Sequence, residues 1–86
     1  MPEISRFYGI VIRMYFDEHP PSHFHAEYGE EEALININTL AVIAGYLPPR
    51  ALGLVVEWAL LNQAELNVVW ERARNKEALG KIAPLK

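Results

Sequence analysis

The stretch HPPSHFHAEYGEEEALINI (residues 19–37) decides the fold, because it holds a stiff loop, two strands and the turn between them. Its two consecutive prolines remove backbone donors, so no strand can run through them. The pattern beyond them predicts a strand over residues 23–28. Gly29 and Glu30 then supply the tight turn of a hairpin, and a further strand is predicted over about residues 32–37.

The two faces of the strand at residues 23–28 differ in chemistry, because side chains alternate along a strand with a period of two. One face carries polar groups, namely His23, His25 and Glu27. The other face carries the side chains that would pack, namely Phe24, Ala26 and Tyr28. We therefore expect one face to bind or react and the other to join the core.

Two further strands are predicted around this hairpin. The β-branched and aromatic run FYGIVIRMYF (residues 7–16) favours one long strand that is buried on most of both sides. Arg13 lies within that strand and requires water or an acidic partner, for which Glu27 and Asp17 are candidates. LAVIA (residues 40–44) is typical of a short fourth strand.

The second half of the chain is predicted to be helical. Two prolines precede a long apolar run, which indicates a helix over residues 50–61. Asn62 with Glu65 resembles a capping box, so we expect a break and a second helix over about residues 63–75, although one continuous helix is the alternative. The core stripe of the second helix is Leu66, Val69, Trp70 and Ala73. Residues 81–83 form either a short edge strand or an ordered extension.

These elements predict a single α+β domain over residues 1–86, because a chain of this length rarely holds two cores. Its architecture is a four-stranded antiparallel β-meander followed by two C-terminal helices packed on one face, with a short C-terminal strand as an option. The row of His23, His25 and Glu27 would then lie on the open face or at a sheet edge.

Composition narrows the function classes. The formal charge of −3 gives no general electrostatic footprint for nucleic acid, although a local basic patch is still compatible with it. Since cysteine is absent, any metal site must use nitrogen and oxygen ligands. The N-terminus lacks a signal-peptide pattern and no apolar run reaches the roughly 18 residues of a membrane span. We expect a cytoplasmic protein.

All three histidines of the chain lie within the stretch 19–25, which makes it the candidate site. In a metal-site interpretation, the ligands are His19, His23, His25 and Glu27, and the ion is divalent, such as Zn²⁺, with Fe²⁺, Mn²⁺ or Ni²⁺ in a more open geometry. In a structural interpretation, the imidazoles face solvent and bond to a neighbouring strand or to Glu32. A polar site in which histidine carries a proton is the third interpretation.

An enzyme interpretation assigns His23 or His25 as general base and acid, with Arg13 stabilising an anion. Arg13 paired structurally with Glu27 or Glu31 is the alternative. No nucleophile constellation accompanies them, because the chain has two serines and no cysteine.

Several motifs together resemble a known family. They are GIVIRMY (residues 9–15), HPPSHFHAEY (residues 19–28), Leu47-Pro48, Glu57-Trp58 and Trp70. The chain is similar over nearly its whole length to the small bacterial proteins of domain-of-unknown-function family 4160. The resemblance implies no established activity, and it implies that His19, His23 and His25 form the signature site. Ser22 is a small departure, since proline can directly precede the histidine in that pattern.

Members of this family are often encoded beside another small domain, an arrangement that has prompted proposals of toxin–antitoxin-like pairs. The sequence therefore predicts a partner-binding component of a two-gene module, with a protein partner or a second copy of the chain. The alternative is a small His-dependent enzyme that acts on RNA or a phosphate ester, with or without a metal.

Overall fold

The computed structural model describes residues 2–86 and has an α+β architecture, as predicted. Five strands are followed by two helices. Their bounds are β1 Glu3–Phe7, β2 Ile10–Arg13, β3 His23–Tyr28, β4 Glu31–Asn36, β5 Val42–Gly45, α1 Pro49–Leu61 and α2 Gln63–Arg74.

The strands form one antiparallel meander in the order β1-β2-β3-β4-β5, so β3 is the central strand. In the register of the sheet, His25 lies between Arg13 of β2 and Leu34 of β4. The predicted position of the histidine row at a sheet edge is therefore wrong, because two strands flank β3 on each side.

The long strand predicted over residues 7–16 is wrong in its bounds: only β2, Ile10–Arg13, and the last residue of β1 fall within it, and β1 precedes it as the other arm of a hairpin, which gives the sheet five strands rather than four. Tyr8 and Gly9 have φ angles of 50° and 80° and turn the chain between β1 and β2. Positive φ at both central residues is the requirement of the tightest hairpin turns, and glycine meets it without steric cost. As a result Tyr8 is 60% exposed, whereas Phe7 and Ile10 on either side of the turn are buried.

The helices begin and end close to the predicted positions. α1 starts at Pro49, and Asn62 separates it from α2, so the predicted break is confirmed. The capping box is wrong, since the Asn62 side chain does not cap α2. Its Nδ2 instead donates to the carbonyl oxygen of Trp58 at 2.8 Å. The stripe predicted for α2 is buried as expected: Leu66, Val69, Trp70 and Ala73.

Trp58 lies at the centre of the core between the helices and the sheet. Its side chain is fully buried and its ring lies 5.4 Å from that of Phe7 and 5.8 Å from that of Phe24. The indole Nε1 donates to the Ala83 carbonyl at 2.8 Å. This bond satisfies a polar atom that burial would otherwise leave unpaired.

The C-terminal tail is an ordered extension rather than a strand, which decides between the two predictions for it. Leu79 and Ile82 are buried in the core. The Ile82 amide donates to the Ile4 carbonyl at 2.7 Å, and Lys81 Nζ donates to the Glu3 carbonyl at 2.8 Å. The tail therefore covers the outer edge of β1.

Candidate histidine–carboxylate site

The two faces of β3 differ in burial as the alternation predicted, except at the first and last residues of the strand. Phe24 and Ala26 are fully buried in the core, whereas His25 and Glu27 are partly exposed on the other face. Tyr28 does not join the core and is 41% exposed. His23 is buried, with 6% exposure, so this end of the row does not lie on an open face.

The loop between β2 and β3 covers the histidine end of the row. The Tyr15 ring packs edge-on against His25 with 4.5 Å between centroids. The Trp70 ring of α2 lies 5.2 Å from that of His23. The loop also brings Glu18 back over β3, where its carboxylate meets both imidazoles.

His23 has a defined tautomer. Its Nδ1 lies 2.8 Å from the carbonyl oxygen of Pro21. A carbonyl only accepts hydrogen bonds, so Nδ1 carries the hydrogen and Nε2 of the neutral ring is left as an acceptor. This Nε2 is buried and has no hydrogen-bond partner within residues 2–86. Buried polar atoms are rarely left without any partner, so this lone pair is available to a water molecule or a bound ligand.

His25 lies between two carboxylates. Its Nδ1 is 3.0 Å from Oε2 of Glu32 on β4, and its Nε2 is 2.8 Å from Oε1 of Glu18. An ionised carboxylate is only an acceptor. Both contacts are therefore satisfied at once only by a doubly protonated ring, or by a cation that stands between Nε2 and Glu18.

Three ligand-type atoms converge at this point. Glu18 Oε1 lies 3.7 Å from His23 Nε2 and 2.8 Å from His25 Nε2, and the three residues each offer one ligand atom within 4.8 Å of the other two. Within residues 2–86 this is the one group of three or more such side chains that could hold a metal ion. A surface cavity of about 330 Å³, lined in part by Glu18 and Arg74, adjoins the covering loop.

The other predicted ligands lie elsewhere. His19 is exposed on the loop and is not in this group. Glu27 forms an ion pair with Arg13, whose Nε lies 3.1 Å from Glu27 Oε2. The sequence interpretation of Arg13 as a partner of Glu27 thus agrees with the geometry. Glu18 was absent from the predicted ligand set.

The surroundings of His25 carry more negative than positive charge. Glu18, Glu27 and Glu32 approach this part of the sheet, and the Arg13 side chain is directed at Glu27. Burial raises the pKa of the Tyr15 hydroxyl, and the charges of Glu27 and Glu32 raise it further. The phenol therefore stays neutral near pH 7, and the site favours a cation.

The fold and the site define a small α+β domain with a histidine–carboxylate cluster under a loop. The model of the family described as Domain of unknown function (DUF4160) matches residues 9–71, which span β2 to α2. The chain belongs to that family, as the motif resemblance predicted. No curated protein and no solved structure matches it. No helix within residues 2–86 combines the length and apolar character needed to cross a membrane.

Proposed function

We propose that this chain is a cytoplasmic partner-binding component of a two-gene, toxin–antitoxin-like module, and that the partner adds an extended strand to the free edge of β5. The observation that carries the proposal is the contrast between the two edges of the sheet. The C-terminal tail covers β1, whereas all four residues of β5 are exposed.

Two of the common devices against strand addition, charged side chains and proline, are absent from β5, which is four residues long and pairs with β4 through a register irregularity between Leu34 and Ile35. Its sequence, VIAG, contains no lysine or proline, and Val42 and Ile43 are 39% and 44% exposed. Exposed apolar edge strands that carry no charged residue and no proline are open to pairing with another chain. In such β-augmentation the main-chain hydrogen bonds provide affinity and the alternate side chains provide specificity.

The charges near β5 favour a different protein as the occupant. Residues 33–49 carry no charged side chain, and the three acids before them, residues 30–32, lie at one end of the β4–β5 pair. The formal charge of the chain is −3. An apolar strand with basic residues beside it complements this surface, and a second copy of this acidic chain does so less well.

The neighbouring gene product is the partner to test, because genes of this family often stand beside another small domain. Wild-type chain and an Ile43→Lys variant are each co-expressed with that product, purified and measured by light scattering and calorimetry. Leu61→Lys is the matched control, since Leu61 is 73% exposed and belongs to α1 rather than to the sheet. We expect Ile43→Lys to weaken binding at least about tenfold and Leu61→Lys to bind as wild type.

Three results oppose the proposal. A monomer that does not bind the neighbouring product contradicts partner binding. Equal weakening by both variants contradicts docking at β5. A dimer of this chain alone that Ile43→Lys dissociates shows that the edge pairs with a second copy instead.

A small His-dependent enzyme is the second candidate, and the shared contact of His23 and His25 with one carboxylate favours it. In this function His25 acts as base or acid on RNA or a phosphate ester. His25→Ala should then abolish cleavage of single-stranded RNA while its circular dichroism stays native. His19→Ala is the matched control, and equal activity in the two variants rejects the enzyme.

A further inference from the structure

We infer that Glu18, His23 and His25 bind one Zn²⁺ ion through Glu18 Oε1, His23 Nε2 and His25 Nε2, with at least one coordination position left to water. The inference is independent of partner binding at β5. It replaces His19 and Glu27 of the predicted ligand set with Glu18 of the covering loop.

The first argument is the orientation of the two imidazoles. Each donates from Nδ1 to a fixed acceptor, His23 to the Pro21 carbonyl and His25 to the Glu32 carboxylate. These bonds leave both Nε2 lone pairs available. Histidine ligands of metals characteristically donate their other nitrogen in this manner, because the bond fixes the tautomer and raises ligand basicity.

The second argument is that the protein's own groups do not satisfy all three ligand atoms. A doubly protonated His25 would donate to Glu18 and Glu32 and explain both short contacts. It would still leave His23 Nε2 buried and without a partner. The Glu18 oxygen, 3.7 Å away, is beyond hydrogen-bond distance. A cation at the common point satisfies all three atoms together.

The third argument is distance. Two ligands held about 2.0–2.1 Å from a tetrahedral Zn²⁺ lie about 3.3 Å apart. The two nitrogen–oxygen separations in the structure, 2.8 and 3.7 Å, lie on either side of that value. One ring nitrogen of His23 lies within 4.8 Å of one ring nitrogen of His25. Small rotations of side chains that are already in place would complete the geometry.

The donor set selects the class of ion. Two imidazoles and one carboxylate are intermediate-to-hard ligands that suit Zn²⁺ and related first-row divalent ions, and Mg²⁺ and Ca²⁺ prefer oxygen alone. Three protein ligands leave a tetrahedral ion one open position. The excess of carboxylates around His25 adds electrostatic attraction for a dication.

The test uses full-length protein without an affinity tag, stripped with a chelator and titrated with Zn²⁺ alone against a chromophoric competitor. We expect one Zn²⁺ per wild-type chain. Glu18→Gln and His25→Ala should each lose at least about 100-fold in affinity, and Glu32→Gln about 10–100-fold through its support of His25. His19→Ala is the matched control and should bind as wild type.

His23 is assessed without substitution, because it is buried against Trp70 and its loss could unfold the chain. On addition of Zn²⁺ the ¹⁵N resonance of His23 Nε2 should move to the position of a metal-bound nitrogen while Nδ1 stays protonated. The Ile43→Lys variant should bind Zn²⁺ as wild type, so failure of partner binding and failure of the metal site can be told apart.

Absence of stoichiometric Zn²⁺ uptake would overturn the inference. The same holds if Glu18→Gln binds as tightly as wild type. If His19→Ala or Glu27→Gln abolishes binding while Glu18→Gln does not, the ion belongs to the ligand set predicted from sequence.

Discussion

Gly45 ends β5 in a conformation and an environment that exclude any side chain, so Gly45→Ala should be one of the most damaging small substitutions in the chain. The φ angle of Gly45 is +80°. A Cβ built on it would overlap the Glu32 carbonyl oxygen and lie 3.0 Å from Ala33 Cα. Both obstacles are backbone atoms of β4, which cannot turn aside as a side chain would.

Two contributions set the magnitude. The left-handed conformation costs an alanine about 1–2 kcal/mol. Relief of the overlap requires β5 to move away from β4, which endangers the 3.0 Å bond from the Tyr46 amide to the Glu32 carbonyl and costs about another 1–2 kcal/mol. We expect Gly45→Ala to lower the free energy of unfolding by about 2–4 kcal/mol.

Gly53 provides the matched control for the same chemical change. It lies inside α1, where an added Cβ would meet no atom within 4 Å. Alanine is favoured over glycine in a helix interior by about 0.8–1.0 kcal/mol. Gly53→Ala should therefore stabilise the protein, and the two variants should differ by about 3–5 kcal/mol.

Urea unfolding followed by tryptophan fluorescence measures both variants, because Trp58 and Trp70 are buried in the core. In a domain of this size Gly45→Ala should also lower Tm by about 10 °C or more. The reasoning is refuted if Gly45→Ala lies within about 0.5 kcal/mol of wild type, or if the two substitutions have the same sign.

Two further predictions concern the core and the covering loop. Trp58→Phe removes the hydrogen bond to the Ala83 carbonyl and part of a fully buried ring, so it should lower the free energy of unfolding by about 2–3 kcal/mol. It should also speed hydrogen exchange of the Ile82 amide in the C-terminal tail. An unchanged exchange rate at Ile82 would show that the tail does not depend on Trp58. Burial raises the pKa of the Tyr15 hydroxyl in the folded protein. The contribution of the neutral phenol to the stability of the fold is therefore complete below the ordinary tyrosine pKa near 10, and it is lost as pH rises through the raised pKa. The decrease in the free energy of unfolding by urea above pH 10 should be smaller in Tyr15→Phe than in wild type, and unchanged in Tyr8→Phe. If both variants follow the same pH dependence, Tyr15 is not the source of the decrease.

The sequence predicts β3 and its turn because every local signal there agrees. Prolines stop the chain before the strand, alternation defines its two faces, and Gly29 adopts the positive φ that the turn requires. The second helix is predicted for the same reason, since its stripe has one period throughout. Agreement between local and tertiary preferences is what makes an element predictable.

The β1–β2 hairpin is missed for two reasons: most of β1, Glu3–Arg6, has mixed polarity and lies before the predicted strand, and the turn does not interrupt the apolar run that follows. Phe7, Tyr8, Gly9 and Ile10 read as continuous strand, and the pair Tyr-Gly lacks the Asn-Gly or Asp-Gly signature of a two-residue turn. A single glycine inside a strand pattern is a weak marker of a bulge or a turn. Here only the positive φ of both central residues separates the two structures.

Glu18 is missed as a site residue for a different reason. The contacts of Glu18 with His23 and His25 depend on how the loop between β2 and β3 folds back over the sheet. Neither the periodicity nor the spacing of the sequence predicts the path of that loop. One signal was available: β2 and β3 are antiparallel neighbours, and register places Arg13 opposite His25. A loop that leaves from Arg13 and returns to His23 must pass close to the end of the histidine row, and Glu18 is an acid within it.

Glu32 connects the two proposed surfaces. Its carboxylate accepts from His25 Nδ1, and its carbonyl oxygen accepts from the Tyr46 amide just beyond β5. A strand added to β5 would restrict the β4–β5 pair, and Glu32 belongs to that pair. Any coupling between partner and metal must be reciprocal, because linkage requires each ligand to change the affinity of the other by the same factor. Glu32→Gln keeps the backbone hydrogen bond to Tyr46 and weakens the side-chain contact with His25. The variant therefore tests the link to the metal site while the link to β5 stays intact.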